Sequence, residues 1–563
     1  LTSMTIVDER TQVEWDPDGL IAHELTHQWF GDLVTCRDWS QGWLNEGWAT
    51  YSEVLWTAHA HGVAESIWNA WEIARGYFQE PRQRYARPIV SYMFREPIDL
   101  FDRHLYNKAG CVLHTLRCEL GEERFWPAVK SYLQRHGPGS VLTRDFQRSI
   151  EEATGRNLDG FFQQWIHAPG HPVVKVKLSH DKGLLEVSVK QTQKGDDVPK
   201  SFRFCLRLGV VAEDGTERVV DLNVHERSHT FAIPCEEKPK TVRVDPGFRF
   251  LSELKFEAPR KWCIELLKSD DCPVIRIRAA ERLGEMADPA SVETLGQALS
   301  DESAWYVRVE LARVLGKARG KGAYTSLLAA LDTEKDLRVR TSIVTALGRF
   351  KHVEVQEALA RVALEGDLSL FSEGAAVEAL GKMQSVHTLK AANALIERAE
   401  PGDWGDLLVM RSLSGLGAMR QVEHLELLKS YTEEAQSQRI RAAALGGLAQ
   451  LGLDVFEVRT EVVDVLIEQA MDGPFRVCLA AVAGLGRLGD SRGLGVLHSL
   501  HTTAPDGRVR RMAWEASRKI RKGRNSSEAI RQLQDELDST GRRSDKFSDR
   551  LARLEAQAGF DAE

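Results

Sequence analysis

The sequence predicts a multidomain, mainly α-helical protein in which a small antiparallel β-sandwich separates two helical regions. Three observations support this fold class. The chain has 563 residues, which is too long for one hydrophobic core and indicates three or four domains. Short runs of alternating apolar and polar residues cluster in residues 173–259. Beyond residue 260, similar helical segments recur at a step of roughly 32–37 residues, which is typical of two-helix repeats.

The first region of the chain contains a His-Glu-Leu-Thr-His motif that begins at His23. Residues four apart lie on the same face of a helix, so His23 and His27 can bind one metal ion. Glu24 lies beside them, close enough to take a proton from a water molecule on that metal. A catalytic zinc ion uses three protein ligands and keeps one position for water, so a third ligand is required. Glu46 is the candidate for that ligand.

A short motif of this kind also arises by chance on solvated helix faces. Here it is flanked by helix-boundary signals, with Asp18 as the predicted N-cap and Gly31 after the motif. Bulky aromatic residues accompany the polar ones, namely Trp29, Phe30 and Trp43, and they would shape a dry pocket. These features favour a metal site over a solvated helix face.

The stretch that begins with this motif resembles the M1 zinc aminopeptidases, gluzincins of the aminopeptidase N and leukotriene A4 hydrolase type. Their pattern is HExxH, eighteen residues and then the Glu of an NEGxA stretch, and this sequence matches it. The resemblance implies a thermolysin-like α-helical catalytic domain over residues 1–172, with one Zn²⁺ per chain on His23, His27 and Glu46. It also implies that Glu24 is the catalytic base and that the substrates are peptides with a free N-terminus.

Two further residues gain a role from the resemblance. Glu53 follows on the same helix face as Glu46 and could orient a ligand histidine; the alternative is a solvated carboxylate. Tyr106 begins another predicted helix, whose first residues resemble the family's Y-x-K-G sequence, with Ala109 where Gly is usual. The family's tyrosine places its hydroxyl near the zinc, where it can donate a hydrogen bond to an oxyanion. The alternative is a buried tyrosine that packs on the helix.

The sequence also departs from the family pattern. The GxMEN motif, whose Glu helps to hold the substrate's free amine, is not found in this chain, and neither is the family's large N-terminal β-domain. The match begins just downstream of that motif, with a predicted strand over residues 1–7. We therefore expect a chain truncated at its N-terminus, and a divergent protein without that part is the alternative. The absence of the GxMEN motif puts the specificity of an aminopeptidase in doubt. It does not affect the prediction of the metal chemistry, because the metal-binding motif is present.

The remaining segments show no catalytic motif. Residues 173–259 are predicted to form the β-sandwich, which we interpret as a spacer. Residues 260–523 resemble HEAT-like repeats, in which we expect a glycine to end each copy. Such an array either binds a substrate or protein partner or merely closes the cleft. Residues 524–563 form a charged tail, either a short coiled coil or a flexible segment. The clearest copies of the repeat begin at Arg276, Arg308, Arg338, Arg439, Arg476 and Arg508.

The composition of the chain limits the kinds of binding partner and the cellular location that we expect. The net charge is −8, and the one basic run, residues 518–524, lacks interleaved aromatics, so we predict no nucleic-acid partner. The eight cysteines form no CxxC pair, which suits a reducing compartment and predicts a cytoplasmic location. No apolar run is long enough to span a bilayer, so we predict no transmembrane segment.

The leading interpretation is a zinc-dependent metallo-aminopeptidase that hydrolyses N-terminal residues from peptides through metal-activated water. An alternative of another class is a non-catalytic, M1-like scaffold or interaction protein built on the helical repeats. A third interpretation is hydrolysis of a lipid epoxide beside peptides, as in one branch of the family. Metal content separates the first interpretation from the second, because a scaffold predicts no stoichiometric zinc. The preferred N-terminal residue and the oligomeric state do not follow from the sequence.

Overall fold

The computed structural model describes residues 9–318, 320–400 and 404–523. The predicted strand over residues 1–7 and the predicted coiled coil of the tail lie outside these ranges. The first helical region consists of seven α-helices and one pair of short parallel strands. Its helices are α1 (Asp18–Thr26), α2 (Trp43–Ala60), α3 (Val63–Gln83), α4 (Ala109–Leu120), α5 (Glu122–His136), α6 (Thr143–Thr154) and α7 (Asp159–Trp165), and its strands are β1 (Val34–Cys36) and β2 (Gly139–Val141).

An aromatic core fixes helix α2 within this region. Trp48, which is 2% exposed, stacks on Phe30 with ring centroids 4.3 Å apart and contacts Phe125 at 6.0 Å. One turn earlier, Trp43 meets Phe146 edge to face at 5.8 Å. Burial of several large rings stabilises such a core by a few kcal/mol per ring. Because Phe30 follows α1 closely in the chain, this core also holds the end of α1 against α2.

Two local predictions differ from the structure. Asp18 is not the N-cap of α1 but its first residue, since Pro17 precedes the helix and has no side-chain donor or acceptor for a cap. The Asp18 N–H instead donates to Asp16 Oδ1 at 2.9 Å. The helix predicted to begin at Tyr106 begins as a π-helical turn, His104–Lys108, and continues as α4.

Residues 173–257 form two small sheets. One sheet has the strand order β7-β4-β3-β9 and the other has the order β6-β5-β8. Every neighbouring pair is antiparallel except β3 and β9, which run parallel. Strand β9 was not predicted, although its buried Leu254 and Phe256 alternate with charged residues. The strands are β3 (Val173–Asp181), β4 (Leu184–Gln191), β5 (Phe204–Val211), β6 (Glu217–Val224), β7 (Ser228–Pro234), β8 (Thr241–Val244) and β9 (Glu253–Glu257).

The chain divides after Gly415 into two compact units, and helical repeats occupy the last part of the first one. Within the first unit, neighbouring repeat helices meet through small side chains. A Cβ placed on Gly316 would lie 2.9 Å from that of Ala346. The helices that begin in this part are α8 (Arg260–Ser269), α9 (Pro273–Met286), α10 (Pro289–Asp301), α11 (Trp305–Ala318), α12 (Lys321–Thr333), α13 (Leu337–Leu347), α14 (Val353–Glu365), α15 (Leu370–Met383), α16 (Thr388–Arg398) and α17 (Gly405–Ala418).

The second unit continues the helical pattern. Its helices pack through buried leucines and alanines, among them Leu445, Leu448 and Ala481. The described helices are α18 (Leu425–Ser430), α19 (Gln438–Asp454), α20 (Arg459–Asp472), α21 (Phe475–Leu488), α22 (Leu494–Thr503) and a last helix over 507–523. Throughout the described ranges, none of the helices combines the length and the apolar character needed to cross a membrane.

The prediction that a glycine ends each repeat helix was wrong for several copies. Gly284, Gly316 and Gly381 lie inside helices α9, α11 and α15. They occupy places where the neighbouring helix approaches closely, so the absence of a side chain serves packing there. Gly348 takes the expected place directly after the last residue of α13, and Gly489 does so after α21.

Candidate metal centre

Three of the predicted residues meet where α1 packs against α2. His23 and His27 come from the C-terminal end of α1, and Glu46 comes from the first turn of α2. Glu46 Oε2 lies 3.4 Å from the Nε2 atom of each histidine. The candidate ligand atoms of the three residues all lie within 4.8 Å of one another.

This spacing fits a zinc ion. With bonds of about 2.0–2.1 Å in a tetrahedral arrangement, two ligand atoms of zinc lie about 3.3–3.4 Å apart. Two imidazoles and one carboxylate are also a usual donor set of catalytic zinc sites, and they leave one position open. Burial alone would raise the pKa of Glu46, but its hydrogen bonds with His23 and His27 outweigh burial and lower the pKa to about 2. The carboxyl group is therefore ionised at neutral pH, as a metal ligand must be.

Both histidine rings are oriented by a second contact at Nδ1. His23 Nδ1 lies 2.8 Å from Glu53 Oε1, and His27 Nδ1 lies 3.1 Å from the backbone oxygen of Phe30. When Nδ1–H donates to these acceptors, each Nε2 keeps its lone pair for the centre. Burial lowers the pKa of His23, but the contacts with Glu46 and Glu53 outweigh it and raise the pKa to about 9, so a metal ion that binds at Nε2 would have to displace a proton from the ring.

The sequence indicated the contact of Glu53 with a ligand histidine as one of two alternatives, whereas it gave no sign of the Phe30 contact. The acceptor in this contact is a backbone oxygen, so no residue type in the sequence indicates it. The one possible indication was the end of α1 at Thr26, which leaves the Phe30 carbonyl outside the helix and free to accept a hydrogen bond.

Tyr106 lies at the same centre, and Glu24 is close enough for its charge to act on the Tyr106 phenol. The ring of Tyr106 stacks on that of His23 with centroids 6.1 Å apart and an interplanar angle of 20°. Burial, together with the negative charges of Glu46 and Glu24, raises the pKa of Tyr106 above its ordinary value. The phenol therefore stays protonated and able to donate a hydrogen bond. The Glu24 carboxylate is exposed to solvent.

An aromatic row that the sequence did not indicate leads away from this centre. Phe101 contacts Tyr106 with ring centroids 6.2 Å apart, and Trp39 contacts Phe101 at 5.7 Å. Trp39 is 49% exposed. The row joins residues from two loops, so their sequence positions give no sign of their proximity.

Two protein-family models match the chain. Residues 6–165 match the model of the peptidase family M1 domain, and residues 260–348 match the model of HEAT repeats. The first match contains all the residues of the centre described above.

Individual proteins match the same region. Aminopeptidase M1-C of Oryza sativa subsp. japonica is 30% identical over 231 residues, which are 39% of this chain and 25% of that protein. Aminopeptidase N of Lactococcus lactis subsp. lactis is 34% identical over 175 residues, which are 30% of this chain and 20% of that protein. The matched part thus spans a quarter or less of either relative.

A solved structure resembles a much larger share of the chain. The crystal structure of Legionella pneumophila aminopeptidase A in complex with aspartic acid aligns with a TM-score of 0.65 and 17% sequence identity. The alignment covers 89% of this chain and 65% of the Legionella chain. At this identity the likeness concerns the fold.

A helical domain with two histidines and a glutamate at one centre is followed by small sheets and helical repeats, and this arrangement has the fold seen in the Legionella structure. The histidine and glutamate centre lies in the part of the chain that matches the peptidase family M1 domain, and the helical repeats include the part that matches HEAT repeats.

Proposed function

We propose that this protein is a zinc-dependent aminopeptidase that removes N-terminal residues from peptides. The observation that carries the proposal is the meeting of His23, His27 and Glu46 at one point, with ligand atoms within 4.8 Å of one another. The relatives named aminopeptidases support the substrate class, since they match the domain that contains this centre.

His23, His27 and Glu46 would hold the ion, and Glu53 fixes the ring of His23 through its contact at 2.8 Å. A bound zinc ion would polarise the peptide carbonyl and lower the pKa of a water molecule beside it. Glu46 brings one negative charge and the neutral histidines bring none, so the centre keeps a net positive charge with zinc present.

Glu24 and Tyr106 perform the proton transfer and the charge stabilisation. The Glu24 carboxylate takes a proton from the attacking water and later passes it to the leaving amine. The phenol of Tyr106 donates a hydrogen bond to the oxygen on which negative charge develops. Loss of such a donor costs about 3–4 kcal/mol of transition-state stabilisation. The raised pKa of Tyr106 keeps that donor protonated through the alkaline range.

The test is hydrolysis of aminoacyl fluorogenic substrates, free and N-acetylated, by the wild type and by Glu24→Gln. We expect the wild type to cleave only the substrates with a free amine. We expect Glu24→Gln to lose at least about 1,000-fold in kcat, because the general base is gone, while it keeps stoichiometric zinc. The matched control is Glu123→Gln, which makes the same change at an exposed carboxylate of α5 and should leave activity unchanged.

Each other outcome points elsewhere. Cleavage of the acetylated substrates as well would contradict recognition of the free amine and favour an endopeptidase. A wild type that binds no stoichiometric zinc would overturn the proposal and favour a scaffold built on the repeats. Substantial activity in Glu24→Gln would refute its assignment as the base.

A further inference from the structure

The turn that carries Tyr106 has an unusual backbone. Residues His104–Lys108 form a π-helical turn, in which the Lys108 N–H donates to the Arg103 carbonyl at 2.9 Å, five residues back. Such turns are rare, are less stable than α-helical ones and occur frequently at functional sites. Something outside the turn must therefore hold it in this form.

The N-terminal end of the turn is held by Asp102, whose side chain is 1% exposed. Its carboxylate accepts the backbone N–H groups of His104 at 2.9 Å and Leu105 at 3.2 Å. Arg87 donates to the same carboxylate at 2.7 and 2.9 Å. Burial opposes ionisation here, but the hydrogen bond with His104 and the charge of Arg87 lower the pKa of Asp102 to about 2.

The C-terminal end is held by Lys108, whose side chain is completely buried. Its Nζ donates to the backbone oxygen of Ala168 at 3.0 Å, just beyond the end of α7. Burial, and to a lesser degree the charge of Arg87, lowers the pKa of Lys108 to about 7. Within the described ranges no carboxylate forms an ion pair with it.

An amine buried in this way costs stability, because it gives up several hydrogen bonds to water and regains one. An apolar side chain of the same length would fill the space without that cost. The residue is therefore hard to explain by stability alone.

What Lys108 does achieve is a fixed register for Tyr106. Helix α4 cannot shift, since Ala109 packs so closely on α2 that a Cβ at Gly47 would lie 2.7 Å from its own Cβ. If the turn relaxed to α-helical geometry, the residues on the N-terminal side of Lys108, Tyr106 among them, would rotate about the helix axis, by about 100° for a full change of register by one residue. Tyr106 would then leave its position over His23.

We propose that Lys108 is a positioning residue that holds the π-helical turn against Ala168 and so keeps the hydroxyl of Tyr106 directed at the His23, His27 and Glu46 centre. The inference rests on the proposed function, since it takes that centre to be the place where the metal ion is held.

The experiment places 3-fluorotyrosine at position 106 of the full chain and uses Co²⁺ alone as the probe. The ¹⁹F signal should show a large paramagnetic shift when Co²⁺ is added to the otherwise wild-type chain. In Lys108→Met, which keeps the length of the side chain, that shift should fall by at least half or the signal should split. Asp102→Asn weakens the other end of the turn and should reduce the ¹⁹F shift in the same way. It serves as the test if Lys108→Met does not fold.

A second arm measures hydrolysis and stability. Lys108→Met should lower kcat about tenfold or more with KM within about twofold, while its melting temperature stays equal or rises. In a Tyr106→Phe background the same change should have little further effect on kcat. The matched control is Arg278→Met, which removes another buried cation that donates to a backbone oxygen. It should alter the melting temperature but not the ¹⁹F shift.

The outcomes separate the two proposals. No paramagnetic shift in the otherwise wild-type chain would mean that Co²⁺ does not bind near Tyr106, and the proposed function would fail. A normal shift that Lys108→Met and Asp102→Asn both leave unchanged would overturn the positioning role and leave the proposed function standing. An equal loss of kcat in the presence and absence of the Tyr106 hydroxyl would also overturn it.

Discussion

A hydrogen bond at His23 determines which of its ring nitrogens is left for a metal ion. Glu53 Oε1 lies 2.8 Å from Nδ1, while Nε2 lies 3.4 Å from Glu46. A carboxylate at Nδ1 also makes the ring a stronger donor at Nε2 than a neutral acceptor would. His27 has only the neutral backbone oxygen of Phe30 at the same position. The ring of His23 is thus held by a hydrogen bond to a charged acceptor, and the ring of His27 by a weaker one to a neutral acceptor.

This inequality predicts the effect of changing Glu53. Glu53→Gln keeps an acceptor but removes its charge, so zinc affinity should fall a few-fold. Glu53→Ala removes the acceptor and should weaken zinc binding about 10–100-fold. Competition with a chromophoric chelator measures both values, with Glu123→Gln as the control for loss of one charge. Equal affinity in all four proteins would show that Glu53 is a solvated carboxylate without influence on the centre.

At the scale of helices and strands, glycines separate two kinds of position. A Cβ on Gly381 in α15 would collide with the backbone oxygen of Gly415, whereas Gly446 in α19 has open space at that point. Both residues lie inside helices with ordinary backbone angles. Gly381 therefore has to be a glycine, whereas a side chain at Gly446 would meet no neighbouring atom.

A matched pair of substitutions follows from this difference. Gly381→Ala should destabilise its repeat by about 1–3 kcal/mol, because the contacting backbone must move. Gly446→Ala should stabilise its helix by about 0.5–1 kcal/mol, because alanine loses less conformational entropy in a helix. Amide hydrogen exchange of α15 and α19 measures each local free energy. A Gly381→Ala chain with unchanged protection of α15 would contradict the close approach.

These positions also show which features of the fold and of the candidate site could be predicted from the sequence alone. Alternation of apolar and polar residues located six of the seven strands in residues 173–257, and recurring similar segments indicated the repeat helices, since both are local properties of the chain. The spacing of the histidine motif placed His23 and His27 on one helix for the same reason. The inner position of Gly381 and the π-helical turn at Tyr106 depend on what packs against them. No local pattern records such partners.

In the first compact unit of the molecule, which ends at Gly415, helix α3 of the first helical region packs on repeat helix α9, and its side chains also contact the neighbouring repeat helix α11. Trp68 stacks on Tyr306 with centroids 5.5 Å apart and meets Trp305 edge to face at 4.9 Å. Beside this aromatic contact, Arg75 donates to Glu310 at 2.8 Å. The repeats therefore stabilise a helix that follows α2 directly in the chain.

The Glu310 carboxyl makes this contact sensitive to pH. Its side chain is 4% exposed, and burial raises its pKa above the ordinary value, although Arg313 and Arg75 act against burial. Between its unfolded and folded pKa values the native state binds more protons than the unfolded state, so stability falls as pH rises. Arg75 limits this loss by compensating the charge of the ionised form.

Removal of Arg75 should therefore cost more stability at high pH than at low pH. Arg75→Met removes a cation that opposes the effect of burial and so raises the pKa of Glu310 further. The buried carboxyl then costs more stability as pH rises, because its ionisation is favoured in the unfolded state. We expect a loss of about 1–3 kcal/mol at pH 8, moderated by Arg313, which also contacts Glu310, and a smaller loss at pH 5. Adding Glu310→Gln should remove the pH dependence. Scanning calorimetry at both pH values measures the effect.

The control is Arg135→Met, which breaks the exposed pair with Glu152 and should change stability by less than about 0.5 kcal/mol at either pH. A loss from Arg75→Met that is equal at pH 5 and pH 8 would show that Glu310 does not couple the two helices through its charge.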